Sequence, residues 1–468
     1  LNAEGPLPMD IMNDSITLSR LQFALTTIFH IIWPLLSIGL SIFLVFMEAM
    51  WLKTREIAYY HHVRFWSKLF ALNFAVGVVS GIPLEFQFGA NWERFSTSTG
   101  GFFGAILGFE GAMAFMLEAA FLYIMLFGWK RVPRGLHLLS TCMVALGASL
   151  SAFWILVANS WMQTPAGGHF ENGVFVLTDF WEAVFNPDLP WGFSHMWVAC
   201  LETTLFAVGG VSAWYILRRR NVEFFTRSFK VAVVAAILLT PFQIWLGDGS
   251  GVTVARHQPA KLGALEAHWR TNPPGQGAPW SLLAWPNRDK QENDWTFLNI
   301  PDGLSLLLTR SFDGEVKGLS EFPREDQPPI VIPYYAFRIM VAIGFGLFFL
   351  MLWTLWVWRK GGLRTDRITG QKWLLWAWIG SIPSAYIAVE TGWVTREVGR
   401  LPWIIYGHMR VEDAASNLPV STVAASLAAY FIVYSLLFVI FLYFARRILK
   451  KGPDLSQDPL VDRPFKRS

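Results

Sequence analysis

Nine long apolar runs, separated by polar breaks in which basic residues fall at every second break, leave this chain few folds to adopt. The runs begin near Leu21, Phe65, Phe102, Leu136, Trp191, Val231, Tyr335, Trp373 and Val420. A helix crossing a bilayer needs roughly 20 mostly apolar residues, and each run supplies about that. Inside a membrane the backbone must satisfy its own hydrogen bonds, which only helices and closed barrels achieve. Runs of this length predict helices. The expected fold is therefore all-α: a polytopic membrane helix bundle of about nine transmembrane helices with one long outer loop. Composition agrees. Only 15% of the residues are charged, against roughly a quarter in soluble domains. The 24 Trp and 39 Phe suit interfacial belts and the packing of large flat ligands. A buried soluble core would require every helix to be over-long and apolar all round.

The basic residues orient the bundle. Lys53, Arg55 and Arg64 follow the first run, and Lys130, Arg131 and Arg134 the third. Arg218, Arg219, Arg220 and Arg227 follow the fifth, and Arg359, Lys360, Arg364, Arg367 and Lys372 the seventh. Arg446, Arg447, Lys450 and Lys451 follow the ninth. The stretch from Trp161 to Pro190 has no Lys or Arg but holds Glu171, Asp179, Glu182 and Asp188. By the positive-inside rule the N-terminus lies outside and the C-terminus in the cytoplasm. The organisation expected is residues 1–246 with helices one to six, an outer loop at 247–333, and residues 334–468 with helices seven to nine and a cytoplasmic tail. The first eighteen residues lack a basic region, so no cleavable signal peptide is expected. Cys142 and Cys200 lie in apolar runs, and no C-x-x-C-H occurs. That excludes c-type haem attachment and argues against a disulfide framework.

Charge in hydrocarbon is costly, so an intramembrane ionisable residue marks a candidate site. His30, Glu85, Glu110, Glu118, His195, Glu202, Arg338, Glu390 and Glu397 all fall in or at the ends of the runs. His195 and Glu202 are seven residues apart and share a helix face, as do Glu390 and Glu397. Glu110 and Glu118, eight apart, point broadly the same way at different depths, the pattern of a proton path. Of nine histidines, only His30 and His195 sit well inside apolar runs; His137 is placed at the cytoplasmic edge. Runs five and seven share a direction, and His195 and Met340 both fall near their outer ends. A His/Met pair at matched depth is the ligation of a low-spin haem b of raised potential. Arg338, two residues before Met340, could neutralise a propionate.

Other classes fit less well. A haem–copper core and a diheme bundle both need more membrane histidines. No phosphate-binding glycine motif follows a strand-like segment, and nothing points to nucleic acid. A haem-free ion or solute transporter is the alternative class, weakened by the lack of an internal repeat.

Several motifs carry a resemblance. They are Ser19-Arg-Leu-Gln-Phe-Ala-Leu-Thr-Thr-Ile-Phe-His30, Glu85-Phe-Gln-Phe-Gly89 with Asn91-Trp92, and Glu110-Gly-x-x-Ala-Phe-x-x-Glu118. Gly247-Asp-x-Ser-Gly251 and Lys261-Leu-x-x-x-Glu266 fall in the expected outer loop. Phe337-Arg-Ile-Met340 and Gly392-Trp-x-x-x-Glu397-x-Gly-Arg400-x-Pro-Trp403 complete the set. From Ser19 to about Arg447 the chain resembles subunit I of cytochrome bd-type quinol oxidases, in the branch with a short outer "Q loop" that includes cyanide-insensitive members. The resemblance implies a terminal oxidase of the bacterial inner membrane. It oxidises ubiquinol or menaquinol at the outer face and reduces oxygen to water with cytoplasmic protons, building a proton motive force. It implies two haem b groups, one low-spin and one high-spin, and one haem d, a third haem that in this branch can be b-type. His195 and Met340 resemble the low-spin axial ligands and Arg338 their charge-stabilising neighbour. His30 and Glu397 resemble the ligands of the two oxygen-side haems, either residue serving either haem. Arg400 resembles a propionate partner, Trp393 the aromatic between haems, and Lys261 and Glu266 the quinol-site residues. Glu110 and Glu118 resemble the proton-path carboxylates. A second polytopic subunit, a small single-span accessory subunit and membrane lipids are the implied partners.

Overall fold

The computed structural model describes residues 14–457. The expectations for the two chain ends fall mostly outside the described residues. Ten helices set the frame: α1 (Ser15–Thr54), α2 (Ile57–Ala90), α3 (Glu93–Lys130), α4 (Arg134–Gln163), α5 (Leu189–Leu217), α6 (Val222–His257), α7 (Pro259–Glu266), α8 (Val331–Arg359), α9 (Lys372–Val398) and α10 (Val420–Lys451). Among the described residues, eight of these are long and apolar enough to cross a membrane: α1 to α6, α8 and α10. The ninth expected run forms α9, whose 27 residues also suffice in length. Its Trp, Ser and Pro residues dilute its apolarity.

The helix ends obey local rules. The Asp14 carboxylate caps α1 by accepting from the backbone N–H groups of Ile16 and Thr17, both at 3.1 Å. The same helix stops at Arg55, whose φ of 60° is left-handed. Pro190 lies in the first turn of α5, where its missing N–H costs nothing.

The chain divides into two compact units. Among the described residues, the first comprises residues 14–155 with 412–457. In it α1 packs on α2, and α10 packs on both. Without a hydrophobic drive between helices in lipid, polar side chains hold them together. Asn73 donates to the Trp33 carbonyl at 2.7 Å and to Ser37 Oγ at 2.8 Å. Gln22 donates to Asn91, Asn91 to Ser19, and Gln87 to Thr26. Much of the first-helix motif is thus helix–helix glue. In α3, residues Glu110–Phe115 wind as a π-helix.

The second unit, Leu156–Val411, is a four-helix ring. α5 packs on α6 and α9, and α8 on α9 and α6. The short α7 lies against α6 and α8. A hairpin of β1 (Gly168–Glu171) and β2 (Val174–Leu177) precedes α5. After α7 come β3 (Trp280–Asn287) and β4 (Glu292–Ile300), an antiparallel pair with a bulge at Trp285/Pro286. The last pair is β5 (Trp403–Ile405) with β6 (Met409–Arg410).

The stretch between the sixth and seventh runs begins later than 247. Helix α6 continues to His257, so Gly247-Asp-x-Ser-Gly251 is helical and the connection starts at Gln258. Glycine normally weakens a helix, but here it admits neighbours. A Cβ on Gly249 would stand 2.1 Å from the Trp191 ring.

Candidate functional site

In the second unit, His195 occupies the second turn of α5. Its carbonyl accepts a hydrogen bond from Gln243 of α6 at 3.0 Å. Its Nδ1 is buried with no hydrogen-bond partner. A Cβ on Gly247 would stand 3.3 Å from the His195 ring. Met340 on α8 lies against Gly392 on α9, where a Cβ would be 2.9 Å from its Sδ. Both side chains therefore sit over glycines.

Arg338 lies two residues nearer the start of α8 and is only 8% exposed. It donates to the Glu266 carboxylate at 2.7 Å and to the Ser281 carbonyl at 3.1 Å. Its guanidinium also lies over the rings of Trp280, Tyr334 and Phe337. Thus β3 and the end of α7 close over this arginine. The structure brings Glu266 and Arg338 together, a contact the sequence did not signal.

Lys261, five residues before Glu266, points elsewhere. Its Nζ donates to Gln163 Oε1 at 3.0 Å and to the Arg396 carbonyl at 2.9 Å. Gln163 also accepts from Gln258 and donates to Glu397 at 3.4 Å. Burial and the Arg396 charge bring the Lys261 ammonium down to about 7, against the opposing pull of Asp188 and Glu397. Arg396 forms an ion pair with the buried Asp188 and donates to Ser160 and Asn159. Burial alone would raise the Asp188 carboxyl, but Arg396 and Lys261 hold it below its usual value.

Glu397 accepts from Asn159 at 2.9 Å through one oxygen and from Arg400 at 2.6 Å through the other. Arg400 Nη1 and the Trp393 indole N–H are buried without partners. Both carboxyl oxygens of Glu390 and one of Glu202 share that condition. Sequence reasoning missed Gln163, Asn159, Asp188 and Arg396. Only Arg396 carried a signal, its place beside Glu397 in the Gly392–Trp403 motif.

In the first unit, His30 Nδ1 contacts Ser80 Oγ at 3.0 Å, and Ser80 Oγ donates to the Gly77 carbonyl. A Cβ on Gly81 would be 2.9 Å from the His30 ring. Glu110 accepts from Ser151 at 2.6 Å and lies within hydrogen-bonding reach of Glu85. Glu118 is 6% exposed, with one oxygen buried and unpartnered. In a regular α-helix, residues eight apart diverge by about 80°. The π-helical turn from Glu110 takes up about one extra residue. Glu118 then falls within about 20° of Glu110, as a seven-residue spacing would.

A predominantly helical, multi-pass membrane protein with buried His, Met, Glu and Arg side chains lining its bundles is the class that fold and site define. Residues 18–453 match the family described as cytochrome bd terminal oxidase subunit I, and the chain belongs to that family. It is 35% identical to cytochrome bd-II ubiquinol oxidase subunit 1 of Escherichia coli (strain K12), covering 95% of this chain and 98% of that one. It is 35% identical to cytochrome bd ubiquinol oxidase subunit 1 of Bacillus subtilis (strain 168), over 96% and 97% of the two chains. The structure of bd oxidase from Geobacillus thermodenitrificans aligns with a TM-score of 0.86 at 30% identity, covering 94% of this chain and 99% of that one. The chain is accordingly a membrane subunit of a quinol oxidase that uses haem and contains more than one subunit.

Proposed function

We propose that this subunit oxidises quinol at its outer face and carries the haems at which oxygen is reduced to water. One observation carries the reading: Glu266, at the end of α7 in the outer connection, is ion-paired with Arg338, two residues before Met340. The segment read as the quinol site is thereby fastened to the segment read as a haem pocket.

The residues fit haem. A buried, unpartnered imidazole nitrogen on His195 and a thioether on Met340, each facing a glycine, offer the donor set of a low-spin haem b. At His30, Ser80 occupies Nδ1 and so orients the ring, leaving Nε2 for iron. A carboxylate offers about four lone-pair sites. Asn159, Gln163 and Arg400 engage three on Glu397, which leaves room for one metal bond. The unpartnered Nη1 of Arg400 suits a propionate. We read His195 and Met340 as the low-spin ligands, His30 and Glu397 as those of a high-spin haem b and a haem d or third haem b, and Trp393, on the same helix as Glu397, as an aromatic haem neighbour. When bound, haem supplies the electron transfer and oxygen chemistry.

The chain supplies position and protons. Lys261, titrating near 7, and Glu266 hold quinol and take its hydroxyl protons toward the outer side. Glu118 and Glu110, with Ser151 as hydrogen-bond donor, form the inward route by which protons from the cytoplasm reach the oxygen site. Basic clusters on alternate breaks support a topology with the N-terminus outside and the C-terminus in the cytoplasm. Protons released on one side and taken from the other build a membrane potential. The domain division that follows is six helices, the outer Q loop and three further helices. We expect a second polytopic subunit and a small single-span one as partners. The test is a reduced-minus-oxidised visible spectrum of the purified complex together with oxygen uptake on added ubiquinol and menaquinol. Haem b bands and quinol-dependent uptake are expected; a preparation with no haem band would return the chain to the transporter class.

A further inference from the structure

One buried pair takes no part in the function described so far. Glu48, near the end of α1, is 0% exposed, and His137, in the first turn of α4, is 2% exposed. His137 Nδ1 lies 2.6 Å from Glu48 Oε1. Thr141, one turn further along α4, donates to Glu48 Oε2 at 2.7 Å. A buried carboxylate at this distance fixes a proton on Nδ1 and orients the ring. The other nitrogen, Nε2, is buried and has no hydrogen-bond partner. The ring borders a small cavity lined by Trp51, Tyr60, Trp129, Val132 and Arg134. Its volume of about 20 Å³ exceeds the roughly 10–15 Å³ that admits one water.

A helix-packing hydrogen bond would need only Nδ1, Glu48 and Thr141. It would not need a second imidazole nitrogen left bare beside a water-sized space, since an unsatisfied buried polar atom is costly. The location adds to this. α1 ends, α2 begins, α3 ends and α4 begins within a few residues of the cavity lining, and Lys53, Arg55, Lys130 and Arg131 lie in the same breaks. That is the end assigned to the cytoplasm. The groups facing the pair are Tyr60 and Arg64 from α2, the latter over the Trp129 ring, and Arg134 and Cys142 from α4.

We propose that His137 and Glu48 form a proton-collecting site on the cytoplasmic side, a role that rests on the proton uptake proposed above. A proton from cavity water binds Nε2 to give an imidazolium, whose Nδ1–H stays hydrogen-bonded to the Glu48 carboxylate. That proton then leaves Nε2 for the next acceptor, and the ring is neutral again with its proton on Nδ1. Only N–H and O–H bonds change, and one proton enters for each that leaves. His137 is a positioning and exchange residue here, remote from the reacting oxygen.

The experiment uses the whole oxidase reconstituted in vesicles, with proton uptake and oxygen consumption followed from pH 5.5 to 9. His137→Asn retains a donor for Glu48 but has no Nε2. It should keep the haem spectrum of the parent and slow proton uptake by about a hundredfold or more. His137→Ala opens a space of imidazole size. Added imidazole should restore its uptake rate, and methylated imidazoles should do so in the order of their basicity. Parent-like uptake in His137→Asn would overturn the proposal, as would a slow His137→Ala that no imidazole rescues. If the parent itself took protons from the opposite side, the function proposed above would fail first, and the sidedness measurement tells the two failures apart.

Discussion

The guanidinium of Arg338 and the carboxylate of Glu266 lie 2.7 Å apart, each 8% exposed, and join α8 to the end of α7. Removing one partner of a buried pair leaves an uncompensated charge and costs about 3–5 kcal/mol. Glu266→Ala should therefore lower thermal stability and quinol oxidation together. Replacing both partners with apolar residues is often close to neutral for stability. The double variant Glu266→Ala/Arg338→Leu should recover most of the thermal midpoint while activity stays low. Equal midpoints for parent and Glu266→Ala would show that the pair bears no load.

Lys261 gives a pH prediction. Its pKa falls to about 7 inside the protein, so it loses its proton as pH rises through neutrality. Only the neutral amine can accept a quinol proton. Quinol turnover should therefore rise across pH 6 to 8. Lys261→Arg keeps a charge at all these pH values; its turnover should be low and flat. A variant that retained the parent's rising limb would take Lys261 out of the quinol step.

Glu118→Gln keeps the side-chain shape but cannot pass a proton. Oxygen reduction should slow by about a hundredfold or more, the scale ascribed to a positioned proton-transfer group, with haem bands and quinol affinity kept. Glu110→Gln should act similarly and also alter the Ser151 contact. Charge movement after oxygen is mixed with the reduced enzyme reads this directly. Unaltered proton-coupled phases in Glu118→Gln would mean that protons enter by another route.

The long helices were legible because membrane spans announce themselves by apolar length. α9 was legible too, although its Trp, Ser and Pro leave it less apolar than the rest. The start of the outer connection was not, because Gly247–Gly251 reads as a loop until the rings of His195 and Trp191 are seen against it. The Glu110–Glu118 spacing hid a π-helical turn, which no periodicity of polar residues reveals. The polar web around Lys261 was also hidden. Gln163, Asp188 and Asn159 are ordinary residues at helix ends, and only the close approach of α4, α7 and α9 within the second unit makes them a network. Glu48 escaped notice because a single carboxylate six residues from a helix end resembles an interfacial residue, whereas it is fully buried against His137.

The claim on which the account rests is that His195 and Met340 hold a low-spin haem b. The most direct measurement is the reduced-minus-oxidised spectrum of His195→Ala and Met340→Leu, recorded at low temperature on purified enzyme. The account predicts loss of the low-spin b band in both variants, with the protein still inserted in the membrane and the remaining haem bands present. A low-spin b band of parental intensity and position in both variants would contradict it.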